Sequence, residues 1–443
     1  MTQTSPPPTD AVQGGALRIL FAFENPLPST EADAEVFLTT ARYLARLTTG
    51  AALHVPLPDQ AASAALRQAT GLAVARAWAP LSPPWARHLA CGLTIVWRSA
   101  FRRADLVYTR NLWIAWVAIR FGQRVVFDHY RPWPDQIPPL RPFLYRLMCH
   151  RRFVVNICHS DYTRQKYLEL GIPADKLQCI RNGFEPERLD APIGRDAARR
   201  ALDIPADAQT VVYTGRVNHK KGLAVMIEAA RLLPDLLFIL VGSYGEGPIE
   251  AMAQALPNVR AVPFQPPEIL GQYIHAADVL LIPPSLQPLA RFGSTVLPLK
   301  LFFYMASGRP IVAGNTPDVR EVLRDGENAL LCQPDAPPAL ARTLRRLLDD
   351  PALAGRLART ALAESHTMTW GARAQRILDA ITERLDMPSP RSGGWRGPQR
   401  RAWRRQSRRW LVHLLRTGSP VLPPDGLADQ AAPRRNAAHR PGV

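Results

Sequence analysis

Hydrophobic and polar positions alternate along this chain in a way that predicts strands and helices in turn. Leu17–Ala22 is an apolar run short enough for a buried strand. Ala34 to Leu47 then carries Phe37, Ala41, Leu44 and Leu47 near one face of a helix. Further strands are expected at Leu106–Tyr108 and Arg124–Phe127. A second alternating run begins near Gln209. It predicts strands at Thr210–Tyr213, Leu236–Val241, Arg260–Val262, Val279–Pro283 and Pro310–Ala313. Helices are expected between them at Gly222–Leu233 and Pro267–Ala277, and then at Leu297–Ala306. Such alternation is the pattern of a doubly wound α/β sheet, and it occurs twice. The two halves join near Glu187–Ala206, and Ala336–Leu385 reads as helical.

Composition narrows the class. With 47% hydrophobic and 21% charged residues the chain can build sizeable cores. No window approaches the roughly 18 apolar residues of a spanning helix. The polar, Pro-rich start lacks the features of a signal peptide, so a cytoplasmic location is expected. Five scattered cysteines, never in a C-x-x-C pair, argue for free thiols rather than disulfides or zinc.

The net charge is +18, and residues 388–443 hold twelve arginines against two aspartates. More than half of the excess therefore sits in a Pro/Gly/Arg-rich tail, which weakens a nucleic-acid reading of the whole protein. Within it, Gln399–Arg416 as a helix gathers Trp403, Trp410, Leu411 and Leu414 opposite Arg401, Arg405, Arg408 and Arg409. That pattern suits an anionic membrane surface, a solvated basic tail, or a nucleic-acid or protein partner.

The chemistry concentrates in Val211-Val-Tyr-Thr-Gly-Arg-Val-Asn-His-Lys-Lys-Gly222. A strand ends at Gly215 and a helix starts near Gly222, where unpaired N–H groups and the dipole favour an anion. Arg216 and Lys221 add two cations at that mouth. Phe238-Ile-Leu-Val-Gly-Ser-Tyr-Gly-Glu-Gly247 is another apolar strand running into a Gly-rich turn, with Gly242 at the bend. A basic surface loop is the plainer alternative for Arg216 and Lys221 alone.

These stretches, in this order, resemble the retaining bacterial GT-B glycosyltransferases of the group 1 and family 4 type. His159-Ser-Asp, Ile180-Arg-Asn-Gly183, Ala276-Ala-Asp-Val-Leu-Leu-Ile-Pro-Pro-Ser285, Tyr304-Met-Ala-Ser-Gly-Arg-Pro-Ile-Val312 and Arg320-Glu-Val-Leu-Arg-Asp-Gly326 extend the likeness. It is dense from about Val154 to Trp370. The resemblance implies an α/β GT-B fold, two Rossmann-like domains facing across a cleft, with a disordered or helical basic tail. The expected layout is a disordered lead at 1–16, an acceptor-side domain at 17–190 and a nucleotide-sugar domain at 191–370. A C-terminal helix at 371–387 and the tail at 388–443 follow.

It further implies a nucleotide-diphosphate sugar held by Gly215, Arg216, Lys221 and Gly242, with no metal and no other cofactor. Lys300 is a further candidate phosphate or sugar ligand. The acceptor is expected to be a cell-envelope glycan or glycolipid, and the enzyme to sit at the inner membrane face. No nucleic-acid partner is expected. His129, at the tip of a strand, resembles the histidine that faces the reacting sugar, and its competing role is a satisfied loop histidine.

Three features depart from the family. Phe303 stands where a ribose-binding glutamate is usual, and Thr295 where its partner carboxylate falls. Ala32-Asp33 replaces a frequent Gly-Gly pair. The alternative reading is therefore a GT-B-shaped binding or scaffold protein. Trp85, Leu89, Trp97 and Phe101 with Arg98, Arg102 and Arg103 form a basic, aromatic stretch that fits lipid contact or ordinary packing.

Overall fold

A computed structural model describes residues 17–29, 31–80, 83–189, 194–245, 247–287, 297–386 and 397–423. The first half forms a seven-stranded, wholly parallel sheet in the order β3-β2-β1-β4-β5-β6-β7. Its strands are β1 (Arg18–Ala22), β2 (Gly50–Pro56), β3 (Ala73–Ala77), β4 (Leu106–Thr109), β5 (Arg124–His129), β6 (Phe153–Cys158) and β7 (Leu177–Cys179). The second half forms a six-stranded parallel sheet, β10-β9-β8-β11-β12-β13. There the strands are β8 (Thr210–Thr214), β9 (Leu237–Ser243), β10 (Val259–Pro263), β11 (Val279–Ile282), β12 (Ile311–Gly314) and β13 (Leu330–Cys332).

Both sheets are covered on each face, so their strands read as continuous buried runs, as Phe238–Val241 and Val125–Phe127 do. In each sheet the strand order reverses once, between β1 and β4 and between β8 and β11. Ligands of open α/β sheets sit beyond the carboxyl ends of the strands at such a reversal. These two places fix where the chemistry belongs.

The helix Trp370–Asp386 does not stand apart as a separate element. It crosses back and completes the core of the first domain, placing Ala374, Ile377 and Ile381 with Phe37, Leu44 and Val155. The crossing is tied: Phe184 N donates to the Met368 carbonyl and Trp370 N to the Phe184 carbonyl, both at 3.1 Å. Gly183 lies so close to the returning chain that a Cβ there would sit 2.6 Å from the Thr369 carbonyl carbon. A side chain is excluded at that point.

Residues 397–417 form the expected tail helix, and it packs beside the short turn Pro138–Leu140. Its faces differ from the sequence expectation. Trp403, Gln406, Ser407, Trp410 and Leu414 are partly covered, while Leu411, Val412 and Leu415 point to solvent with Arg405, Arg408 and Arg409. Packing against the domain has taken the tryptophan side, leaving Leu411 on the arginine side. The side chain of Arg401 lies outside the described residues, as do residues 1–16 and Thr295. Phe101 is core and contributes to no surface. All five cysteines are free.

Candidate active site

The donor side is built from the tips of β8 and β9. Gly215 and Gly242 take φ of 122° and 116°, conformations that L side chains rarely adopt. They also touch: a Cβ on Gly242 would meet the Gly215 carbonyl oxygen at 2.5 Å. The two turns are locked by Gly215 N to the Val241 carbonyl at 2.8 Å and Val217 N to the Gly242 carbonyl at 3.0 Å. After a 3-10 turn at His219–Lys221, the helix begins at Ala224, two residues later than expected, with no side-chain cap on its free N–H groups.

Helix Leu299–Ala306 supplies the third wall. The Tyr304 hydroxyl accepts from Thr214 N at 2.8 Å and so fixes the helix against the tip of β8. One turn earlier on the same face, Lys300 is carried to Gly215. Its Nζ lies 3.5 Å from the Tyr213 ring centroid and would be 2.9 Å from a Cβ on Gly215. No hydrogen bond or ion pair links that amine to any described residue. Burial, with the nearby Lys221 second, pulls the Lys300 pKa well below the usual lysine range. Lys221 is lowered too, by burial first and Arg216 next, with Glu31 acting the other way.

Arg216 reaches across the cleft. It lies over the Tyr244 ring and pairs with Glu31 of the first domain at 3.0 Å. The carboxyl-end reversals of the two sheets thus face each other. Glu31 carried no sequence signal, because its partner is remote in the chain. A second clasp holds the domains nearby. The Glu321 carboxylate accepts from Asp161 N and Tyr162 N at 2.8 and 2.9 Å, capping the start of the helix Asp161–Glu169. Arg181 pairs with both Asp161 and Glu321, so this acidic pair is already engaged.

On the acceptor side, a cavity of about 510 Å3 opens between the tips of β1 and β5. Asn25, Glu31, Asp33, Tyr130 and Arg131 are among its walls. Asp33 accepts from Asn25 at 3.1 Å and from Ala34 N at 2.9 Å, so its carboxylate fills the space that a glycine would leave open. His129 ends β5 and is buried beside Trp133, ring centroids 3.7 Å apart, with Tyr130 and Phe127 around it. Neither ring nitrogen has a hydrogen-bond partner. Burial first, then Arg110 and Arg131, holds its pKa well below the ordinary value, so the ring is neutral.

Behind His129 lies a buried polar network that sequence reasoning missed. Asp128 accepts from Tyr108 at 2.6 Å and Arg373 at 3.0 Å, and it pairs with His159. Burial would raise the Asp128 carboxyl, but Arg373 and His159 outweigh it and hold it well below the usual range. Phe303 is explained by packing: its ring lies 6.0 Å from Phe184, and Arg188 sits over it.

Gly215, Arg216, Lys221, Gly242 and Lys300 therefore converge at one strand-tip cluster, and His129 sits at the tip of β5 in the facing domain. Comparison with known proteins agrees with this architecture. Residues 34–188 match the profile described as Glycosyltransferase Family 4, and residues 208–350 that of Glycosyl transferases group 1. The two matches together span well over half of the chain, and it belongs to these GT-B glycosyltransferases.

Among curated relatives, the D-inositol 3-phosphate glycosyltransferase of Thermomonospora curvata is 29% identical over 265 residues, covering 55% of this chain and 59% of that one. The amylovoran biosynthesis glycosyltransferase AmsK of Erwinia amylovora is 31% identical over 237 residues, covering 51% and 55%. The chain thus spans about half the length of the curated relatives it matches. Among solved structures, Anabaena HepE in complex with UDP superposes with a TM-score of 0.67 at 19% identity, covering 83% of this chain and all of that one. A glycosyltransferase from Rickettsia africae reaches 0.69 at 14%, covering 84% and 100%. At these identities the structural likeness speaks to the fold.

Proposed function

We propose that the chain transfers a sugar from a nucleoside-diphosphate sugar, bound at the tips of β8 and β9, to an acceptor hydroxyl in the cavity of Asn25 and Arg131. The observation that carries this reading is Lys300, a buried amine with no acidic partner among the described residues, set against a glycine turn. A buried cation of that kind is costly unless an anion completes it. A diphosphate does so, with Arg216 and Lys221 closing over it. Together the three cations neutralise the charge that develops on the leaving group, the work a divalent metal does elsewhere. Arg216 would exchange Glu31 for phosphate as donor binds.

In the reaction the bond from the anomeric carbon to the diphosphate oxygen breaks and one to the acceptor oxygen forms. The acceptor proton leaves with the nucleoside diphosphate. His129, neutral and with both nitrogens free, would hydrogen-bond sugar hydroxyls and set the orientation of the ring. We assign retention of configuration from family membership. UDP is the first nucleotide to test, since HepE is solved with it. A cell-envelope glycan or lipid-linked sugar is the acceptor class we favour, with the enzyme working at the inner face of the cytoplasmic membrane. Among the described residues no helix is long and apolar enough to span one.

Phe303 favours a second reading, a GT-B fold that binds without turnover, since the usual ribose carboxylate is absent. Calorimetry against UDP, GDP, ADP and their sugar conjugates tests the donor site, and sugar transfer to an acceptor separates the two readings. One nucleotide should bind, and Arg216→Ala/Lys221→Ala should abolish that binding. If none binds, the donor reading fails and the scaffold reading replaces it.

A further inference from the structure

Helix Leu112–Arg120 has the sequence of a buried element, yet it forms an outer wall of the first domain. Leu112, Ile114, Ala115, Val117, Ala118 and Ile119 face the core. The outward positions, three and four residues apart, are Trp113, Trp116 and Arg120, where a surface helix ordinarily carries small charged groups. The neighbouring helix Pro84–Thr94 and the turn after it present Trp85, Leu89, Leu93 and Trp97 at a spacing of four. The two helices pack side by side. Trp85 and Trp97 are 70% and 73% exposed, values that few tryptophans show without a surface to enter.

Where the Leu112–Arg120 helix ends, a cavity of about 520 Å3 opens against helix Arg141–Met148 and the turn before β6. Trp116, Phe143, Arg120, Arg146, His150, Arg151 and Arg152 line it, and none of the described residues in its walls is acidic. Arg152 donates to the Gly122 carbonyl. The guanidinium groups of Arg120 and Arg146 make no hydrogen bond or ion pair with any described residue. Trp113 joins the two features, with its ring 6.4 Å from Trp116 and 6.0 Å from Phe143.

We propose that this wall is a docking surface for an anionic phospholipid bilayer. The arginine cavity receives a lipid phosphate, and Trp85, Trp97, Trp113 and Trp116 enter the interfacial layer. Charge decides the occupant: a patch of several guanidinium groups without a carboxylate suits phosphate, and amphipathic rings around it suit the headgroup region. Helix Leu112–Arg120 is capped by Asn111, next to the carboxyl tip of β4, and ends at the opposite end of the sheet, just before the start of β5. A bilayer along it runs up to the rim of the cleft, where a lipid-borne acceptor enters. This sharpens the peripheral location proposed above and depends on no step of the transfer reaction.

The full chain is to be sedimented with vesicles of phosphatidylcholine alone, and with vesicles containing about a third phosphatidylglycerol. Wild type should bind the anionic vesicles and leave the neutral ones. Arg120→Glu/Arg146→Glu should weaken that binding about tenfold or more. Trp113→Ala/Trp116→Ala should weaken it as well, and both variants should keep the wild-type thermal unfolding curve. Leu411→Glu/Leu415→Glu, on the tail helix, should have the smaller effect. Wall variants that bind like wild type would overturn the proposal and hand the membrane contact to the tail. Wild type that ignores both vesicles but gains thermal stability with inorganic phosphate would overturn it too, leaving a site for a soluble anion.

Discussion

The Arg373 guanidinium donates to the Asp128 carboxylate at 3.0 Å, joining a helix near the end of the chain to the residue before His129. Both side chains are buried, Arg373 also donates to Thr40 at 2.7 Å, and Asp128 is held by Tyr108 and His159. Arg373→Met strands a buried carboxylate and should lower stability by about 3–5 kcal/mol. Chemical denaturation measures this. Adding Asp128→Asn should recover much of the loss, because the second change removes the orphaned charge.

Acid should weaken the fold in two stages. Burial takes His54 and His159 down to about 4, against an ordinary value near 6.5. Between those values the unfolded chain binds protons that the folded chain does not, so stability falls as pH drops through that window. Each histidine contributes a slope of about 1.4 kcal/mol per pH unit. Asp128, whose carboxyl is depressed, adds stability above about pH 4 that is lost below it. Urea midpoints at pH 7.5, 6 and 5 should decline steadily, and His54→Gln should flatten the decline by about one histidine's share.

Lys300→Met should separate stability from binding. The amine is buried with no acidic partner among the described residues, so its removal should leave the fold unharmed or stabilise it by about 1 kcal/mol. Nucleotide affinity should fall by about tenfold or more, since a charge-assisted contact to phosphate is lost. Thermal unfolding and calorimetry on the same preparation read both. A parallel fall in stability and binding would mean that Lys300 is only packing.

Restoring the family's carboxylate should fail. Phe303→Glu puts a carboxylate against Phe184 and beneath Arg188, which would pair with it and turn it from a ribose. We expect a loss of about 1–3 kcal/mol in stability from the lost packing, with no gain in nucleotide affinity. A tighter nucleotide complex would instead show that Phe303 alone set the weakness of the site.

Much of the second domain was legible because buried parallel strands are uninterrupted apolar runs ending in glycine. The expected strand Leu236–Val241 falls within β9, Leu237–Ser243, apart from one residue. β2, β3, β6, β7 and β13 escaped notice: β3, Ala-Val-Ala-Arg-Ala, is a half-exposed edge with little pattern, and β7 and β13 are only 3 residues long. Local clusters such as Gly215 with Lys221 were readable, since one turn makes them. Arg216 with Glu31 and Arg373 with Asp128 were not, because nothing local records a pairing between residues 185 and 245 positions apart. Half of the tryptophan wall, Trp85 and Trp97, was legible as a basic aromatic stretch; Trp113 and Trp116 were hidden because Leu112–Ile119 is apolar on every side, and such a run reads as core.

The tied crossing at Phe184 and Thr369 sets an order on how this protein is made. The helix that finishes the core of the first domain emerges from the ribosome only after the second domain has been synthesised. Until residues 370–386 arrive, Phe37, Leu44 and Val155 lack their cover. Synthesis therefore finishes the segments of the second domain before it delivers the cover of the first, whose apolar face stays open until residues 370–386 arrive.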